Sequence, residues 1–121
     1  MQADGNFDRI VGYRLIKAER GNSEVELKIN DALKQRFGLL HGGVIATFAD
    51  YCMGTALYSV IEGQAVTAQM NVNYVSSVRD GVIRGYGRIK RLGNRLSFAE
   101  CEIKDEEDKI IATASGVYYK L

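Results

Sequence analysis

The sequence predicts an α+β domain in which one long helix is enclosed by an antiparallel sheet. Three observations carry this expectation. Residues 39–59, LLHGGVIATFADYCMGTALYS, have helical spacing and are apolar on nearly every side, through Val44, Ile45, Phe48, Ala49, Cys52, Met53, Ala56 and Leu57. A helix of that kind is surrounded by protein and not laid on its surface. Residues 24–30, EVELKIN, set Val25, Leu27 and Ile29 against Glu24, Glu26 and Lys28, the alternation of a half-buried antiparallel strand. After the helix, four strand-like runs follow one another with turn residues between them.

In chain order, residues 1–9 are polar and are expected to fray or form a short turn. Residues 12–18 and 24–30 form a first strand pair across Arg20-Gly21-Asn22-Ser23, which supplies the Gly and Asn that tight turns favour. Residues 31–37 are mixed and read as a helical turn or loop leading to the helix. The helix is expected to stop at Glu62-Gly63, with Gly63 as its C-terminal cap. The run VTAQMNVNYV then places Val66, Ala68, Met70 and Val72 opposite Thr67, Gln69, Asn71 and Asn73. In VIRGYGRIKR, Ile83, Gly85, Gly87 and Ile89 share a face, and Arg84, Tyr86, Arg88 and Lys90 share the other. The glycines leave room for something bulky, as in a sheet that curves closely around a helix. Residues 95–104 and 109–120 complete the set. Arg79-Asp80-Gly81, Leu92-Gly93-Asn94 and the acidic turn at 105–108 carry the hairpin connections.

The chain of 121 residues reads as one domain over residues 1–121, with 46% hydrophobic and 26% charged residues and a net charge of +1. Charges that nearly cancel do not predict binding to nucleic acid. The N-terminus lacks the pattern of a secretory signal, and no apolar run approaches the roughly 20 residues that cross a bilayer, so a cytoplasmic protein without membrane partners is expected. Cys52 and Cys101 read as reduced, small hydrophobes. One His and two scattered Cys do not make a zinc site of the common kind, and neither a metal nor another cofactor is expected.

Asp50 interrupts the apolar helix. An unpaired carboxylate there costs several kcal/mol unless it is hydrogen-bonded, paired or set beside a cavity. Its neighbours at helical spacing, Gly43, Ala46, Thr47 and Gly54, are small and leave space in front of it. An acid beside an open groove can act as general base or nucleophile; alternatively it bonds to a hydroxyl such as Thr67 and fixes the helix. His41-Gly42-Gly43 falls at the first helical turn, where amides are unsatisfied and the dipole is positive. The Gly42 or Gly43 amide there is a candidate oxyanion donor, a role worth roughly 3 kcal/mol elsewhere; the alternative is a simple tight turn. Three other motifs are set aside. HGG also occurs in the oxyanion loop of lipases, but the G-x-S-x-G elbow is missing. GYGRIKRLG lies in a strand pattern and lacks the glycine spacing of a dinucleotide fingerprint. Neither cysteine has a cationic neighbour in sequence to activate it.

HGGVIATFAD opening a buried helix, the MNVNYV strand and the final strand pattern together resemble the hotdog-fold acyl-CoA thioesterases of the phenylacetate-pathway type, over roughly residues 33–119. The resemblance implies a hotdog fold, a central helix wrapped by a curved antiparallel sheet of five or six strands. It also implies a homodimer or homotetramer with sheets joined edge to edge and sites at the subunit interface. Carried over by residue, Asp50 activates water or attacks directly, the Gly42 amide polarises the thioester carbonyl, His41 positions its neighbours and Thr67 holds the catalytic water. Gln35 stands where some relatives have Asn, and Ser76-Ser77 where many have Pro. For the substrate, Gly43 lies at the same turn, and Arg88, Lys90, Arg91 and Arg95 are the candidates to meet the phosphates of coenzyme A, which enters as part of the acyl-CoA; the alternative for that basic cluster is a solvated turn balanced by the acidic one at 105–108. The implied activity is hydrolysis of an aromatic or medium- to long-chain acyl-CoA to free acid and CoA. A hotdog module that binds an acyl ligand without turnover is the alternative, and a hydratase-type enzyme the third.

Overall fold

A computed structural model describes residues 4–121. The chain runs through α1 (Asn6–Val11), β1 (Arg14–Glu19), β2 (Asn22–Lys28), a 3-10 turn (Asp31–Leu33), α2 (Gly42–Tyr58), β3 (Ala65–Tyr74), β4 (Val82–Arg91), β5 (Leu96–Lys104) and β6 (Ile110–Lys120). The six strands form one sheet in the order β1-β2-β4-β5-β6-β3, and each neighbouring pair is antiparallel. α2 lies across one face of it. This is the α+β architecture expected, with α2 as its centre.

β4 shows why the helix sits so close. A Cβ added to Gly85 would stand 2.3 Å from Cys52 Sγ, and one added to Gly87 would stand 2.3 Å from the Cys52 carbonyl oxygen. Only glycine lets the strand pass under α2 at this distance. The α2 side chains that meet the sheet, Phe48, Ala49, Cys52, Met53 and Ala56, are fully buried. Ser23 Oγ on β2 donates to the Cys52 carbonyl at 2.6 Å, tying the helix backbone to the sheet. Both cysteines are buried free thiols, as expected.

Four local expectations change. The first hairpin is tighter than expected: Arg20 and Gly21, with φ of 54° and 80°, form a two-residue turn, and Asn22 and Ser23 already belong to β2. α2 ends at Tyr58, before Gly63, because the Ser59 hydroxyl and amide bond back to the carbonyls of the last turn. Of the polar residues 1–9, those from Asn6 onward are helical, with Gly12 at φ 92° closing α1; residues 1–3 lie outside the described residues. Finally, β3 carries a bulge between Thr67 and Gln69. Strict alternation would place Thr67 opposite Met70 and Val72; the extra residue returns it to their side, facing α2.

Candidate active site

The enclosure of α2 is one-sided. Toward the β3 edge of the sheet, its stripe Asp50, Gly54 and Tyr58 opens on a cavity of about 500 Å³, which Tyr51, the start of β3 and Tyr118 also line. The small residues around Asp50 mark this space only in part. Thr47 is covered, since it accepts a hydrogen bond from Tyr13 OH at 2.7 Å, whereas Gly54 faces the open cavity.

Asp50 is held by one oxygen. Thr67 Oγ1 and Tyr118 OH both donate to its Oδ1, each at 2.8 Å. Tyr118 is only 4% exposed, and its hydroxyl also lies 3.3 Å from the Asp50 carbonyl. Burial foremost, then the Asp50 charge, pushes the Tyr118 phenol well above its ordinary range, so it stays a neutral donor. The residues around this cavity include Asp4 and Asp8 from the N-terminal segment, and no Lys or Arg among the described residues lines it. The carboxylate is thus stabilised by hydroxyl donors and not by a cation. No group of three or more potential metal-ligating side chains occurs among the described residues.

At the start of α2, His41 is the N-cap, and its Nδ1 accepts the Gly43 amide at 2.8 Å. With Nδ1 engaged as acceptor, the neutral imidazole carries its proton on Nε2 and presents a donor outward. The Gly43 amide is therefore spent on the cap. Gly42 supplies the first amide of the helix, beyond the reach of an intrahelical carbonyl. Tyr74 OH donates to the Gly42 carbonyl at 2.9 Å. Gln35 organises the approach to this turn: its Oε1 accepts the amides of Phe37 at 2.5 Å and Leu39 at 3.3 Å. Within this chain the helix start and Asp50 stand two turns apart, about 12 Å by helical rise.

The basic residues do not gather at this cavity. Arg88 and Lys90 project from the face of β4 away from α2, where both pair with Glu100, Arg88 through Nε at 2.9 Å and Lys90 at 3.8 Å. Arg95 donates to Tyr119 OH at 3.1 Å, and Arg91 closes β4. Tyr118 is the site residue that sequence reasoning missed. It lies 68 positions from Asp50, and only the placement of β6 beside β3 brings it there.

The thioesterase superfamily profile matches residues 37–112, which span the HGG turn, Asp50 and Thr67. The chain belongs to the thioesterase superfamily. It is 30% identical to the 1,4-dihydroxy-2-naphthoyl-CoA hydrolase of Escherichia coli over 92% of this chain and 83% of that one. Among solved structures it matches a conserved protein of Pseudomonas aeruginosa with a TM-score of 0.94 and 30% identity, covering 98% and 95% of the two chains. The PaaI protein of the Escherichia coli phenylacetic acid degradation operon shares the fold at a TM-score of 0.91 and 18% identity, over 98% of this chain and 86% of that one. The hotdog fold implied by the sequence resemblance is thus the fold of this member of the superfamily. No described helix is long and apolar enough to cross a membrane.

Proposed function

We propose that the protein hydrolyses an acyl-CoA thioester, with Asp50 as general base or nucleophile. The observation that carries this reading is the asymmetry of Asp50: two hydroxyls occupy Oδ1, its other oxygen takes no hydrogen bond from the described residues, and the residue lines a cavity. In the general-base form, Oδ2 takes a proton from a water that the Thr67 hydroxyl helps to hold. The hydroxide adds to the thioester carbonyl carbon, the C–S bond then breaks, and the thiolate of CoA leaves and is protonated. In the nucleophilic form, Oδ2 itself attacks the carbonyl carbon, the C–S bond breaks and CoA leaves as the thiolate, and water then hydrolyses the acyl anhydride, releasing the acid and restoring the carboxylate. The oxyanion formed on the carbonyl needs a donor, and the Gly42 amide at the positive end of α2 is the one offered.

One α2 cannot aim both ends at one carbonyl across 12 Å or so. The site is therefore completed by a second copy, whose Gly42 turn faces Asp50 of the first. Of the two edge strands, β1 with six residues and β3 with ten, β3 is the longer and carries Thr67 beside Asp50, so it is the edge assigned to such a pairing. His41 orients this turn through its cap, and Gln35 fixes the loop before it. Arg91 and Arg95 at the β4–β5 turn are the candidates for CoA phosphates, with Gly43 at the other end of the path. Arg88 and Lys90 would first have to leave Glu100.

The test is thiol release from a panel of aromatic and straight-chain acyl-CoAs, comparing the parent with Asp50→Asn. Activity in the parent and its loss in the variant is the expected result. A parent no faster than the variant on every substrate, with acyl-CoA still bound by both, would make this a binding module.

A further inference from the structure

The peptide between Gly42 and Gly43 is gripped at both of its polar atoms. Its N–H donates to His41 Nδ1 at 2.8 Å, and its carbonyl accepts from Tyr74 OH at 2.9 Å. In the preceding peptide, the His41 carbonyl takes the amides of Val44 at 3.0 Å and Ile45 at 3.2 Å. Of the polar atoms on these two peptides, the Gly42 N–H alone is left without a partner among the described residues. The two planar units meet at the Gly42 Cα, so holding both of them fixes where that N–H points.

Tyr74 is not part of the core. It is the last residue of β3, pairs with Ala112 of β6 through its backbone and is 56% exposed. Its ring lies beside Gly42, where an added Cβ would stand 3.5 Å from Tyr74 Cε1. The hydrogen bond itself is exposed, so water can take its place and no buried group depends on it. What the hydroxyl supplies is geometry, because it joins the start of α2 to the edge of the sheet.

β3 thereby holds both halves of the proposed site. Near one end Thr67 bonds to Asp50, and at the other Tyr74 bonds to the Gly42 turn. Two copies joined about a two-fold axis along this edge run antiparallel, and the Tyr74 end of one then lies beside the Thr67 end of the other. We propose that Tyr74 is a positioning residue: it fixes the Gly42–Gly43 peptide to the end of β3, so that pairing of two β3 edges aims the Gly42 amide at the thioester carbonyl beside Asp50 of the second copy. The proposal rests on the shared-site thioesterase reading and adds to it the group that keeps the oxyanion donor in register.

Tyr74→Phe keeps the ring and the strand and removes only the hydroxyl. In thiol release from an acyl-CoA that the parent hydrolyses, kcat should fall about tenfold, because a loosely held donor is poorly aligned with the oxyanion. KM should change by less than about twofold, and the solution mass should equal that of the parent. An unchanged kcat or a loss confined to KM overturns the proposal. So does a monomeric parent, or dissociation of the variant, which would place the hydroxyl in the interface. Mixed dimers, isolated by two tags, decide which Asp50 is served. With Tyr74→Phe in one chain and Asp50→Asn in the other, one shared site keeps both residues, and about half of the parent's activity is expected. About a twentieth, the value for a Tyr74 that serves Asp50 of its own chain, overturns the proposal. If the parent releases thiol from no acyl-CoA, the thioesterase reading falls separately. Hydrogen exchange then decides the hold on the turn: the Gly43 amide should exchange several-fold faster in Tyr74→Phe, and an unchanged rate overturns it.

Discussion

The two sides of α2 obey different rules. Toward the sheet, Phe48, Ala49, Cys52 and Met53 are fully buried against strands that give up side chains to let them approach. Toward the cavity, Asp50, Gly54 and Tyr58 make little of the core, and the one charge is held by hydroxyls from β3 and β6. The first side is determined by packing, the second by what must be bound. Substitutions on the two sides should therefore separate stability from activity.

The largest effect belongs to Asp50→Asn. The amide keeps the volume and can still accept from Thr67 and Tyr118, so the thermal midpoint should move little. Loss of the base or nucleophile should lower kcat by about 10²–10⁴-fold. On the other face, Phe48→Ala should do the reverse. The side chain is fully buried between α2 and Gly85 of β4, and its removal should cost about 3–5 kcal/mol in a urea titration. If Phe48→Ala lowers activity as sharply as Asp50→Asn while the chain remains folded, the two faces are coupled and the division fails.

The division also explains how much could be read from the sequence. Packing leaves a periodic trace: the Ile83, Gly85, Gly87 face of β4 and the apolar spacing of α2 are both visible in the order of residues, and so is an acid that breaks an apolar pattern. The cavity side leaves less. Tyr118 reads as one more apolar position of an alternating strand, because its partner is 68 residues away and depends on the sheet order β5-β6-β3. Thr67 sits on the wrong face by alternation, because a bulge has no fixed residue signature. α1 is six residues long with Val11 as its one buried residue, too short for a helical period to register.

Tyr118→Phe tests the clamp on Asp50 with a smaller effect. A hydrogen bond to a charged group is worth about 1.5–3 kcal/mol, so kcat should fall about tenfold with KM nearly unchanged, and Thr67→Val should act in the same sense. Stability carries a second signature. Burial raises the Tyr118 phenol above its ordinary range in the folded protein, so the folded state resists its ionisation while the unfolded chain does not. Its contribution is present below about pH 10, the unfolded value, and is lost as the pH climbs further. Tyr13, pushed up to about 12 mainly by burial, adds to the same trend. Urea midpoints measured from pH 8 to 11 should fall at the alkaline end, and less steeply in Tyr118→Phe. Parallel slopes would mean that the hydroxyl is not tied to the folded state.

The smallest effect separates two duties of His41, at the point where the packed and the binding faces of α2 meet. As N-cap it satisfies the Gly43 amide, a role that Asn fills as well and Ala does not. His41→Ala should therefore lose about 1 kcal/mol, and His41→Asn should lose little. The Nε2–H donor is absent from both variants. If His41 serves only the helix, Asn restores activity along with stability. If its outward donor also orients the Gly42 turn toward a substrate, Asn restores the melting point and leaves kcat low. The second outcome is expected, because Nδ1 is already occupied by the cap and the exposed Nε2 is the part of the ring left for a ligand.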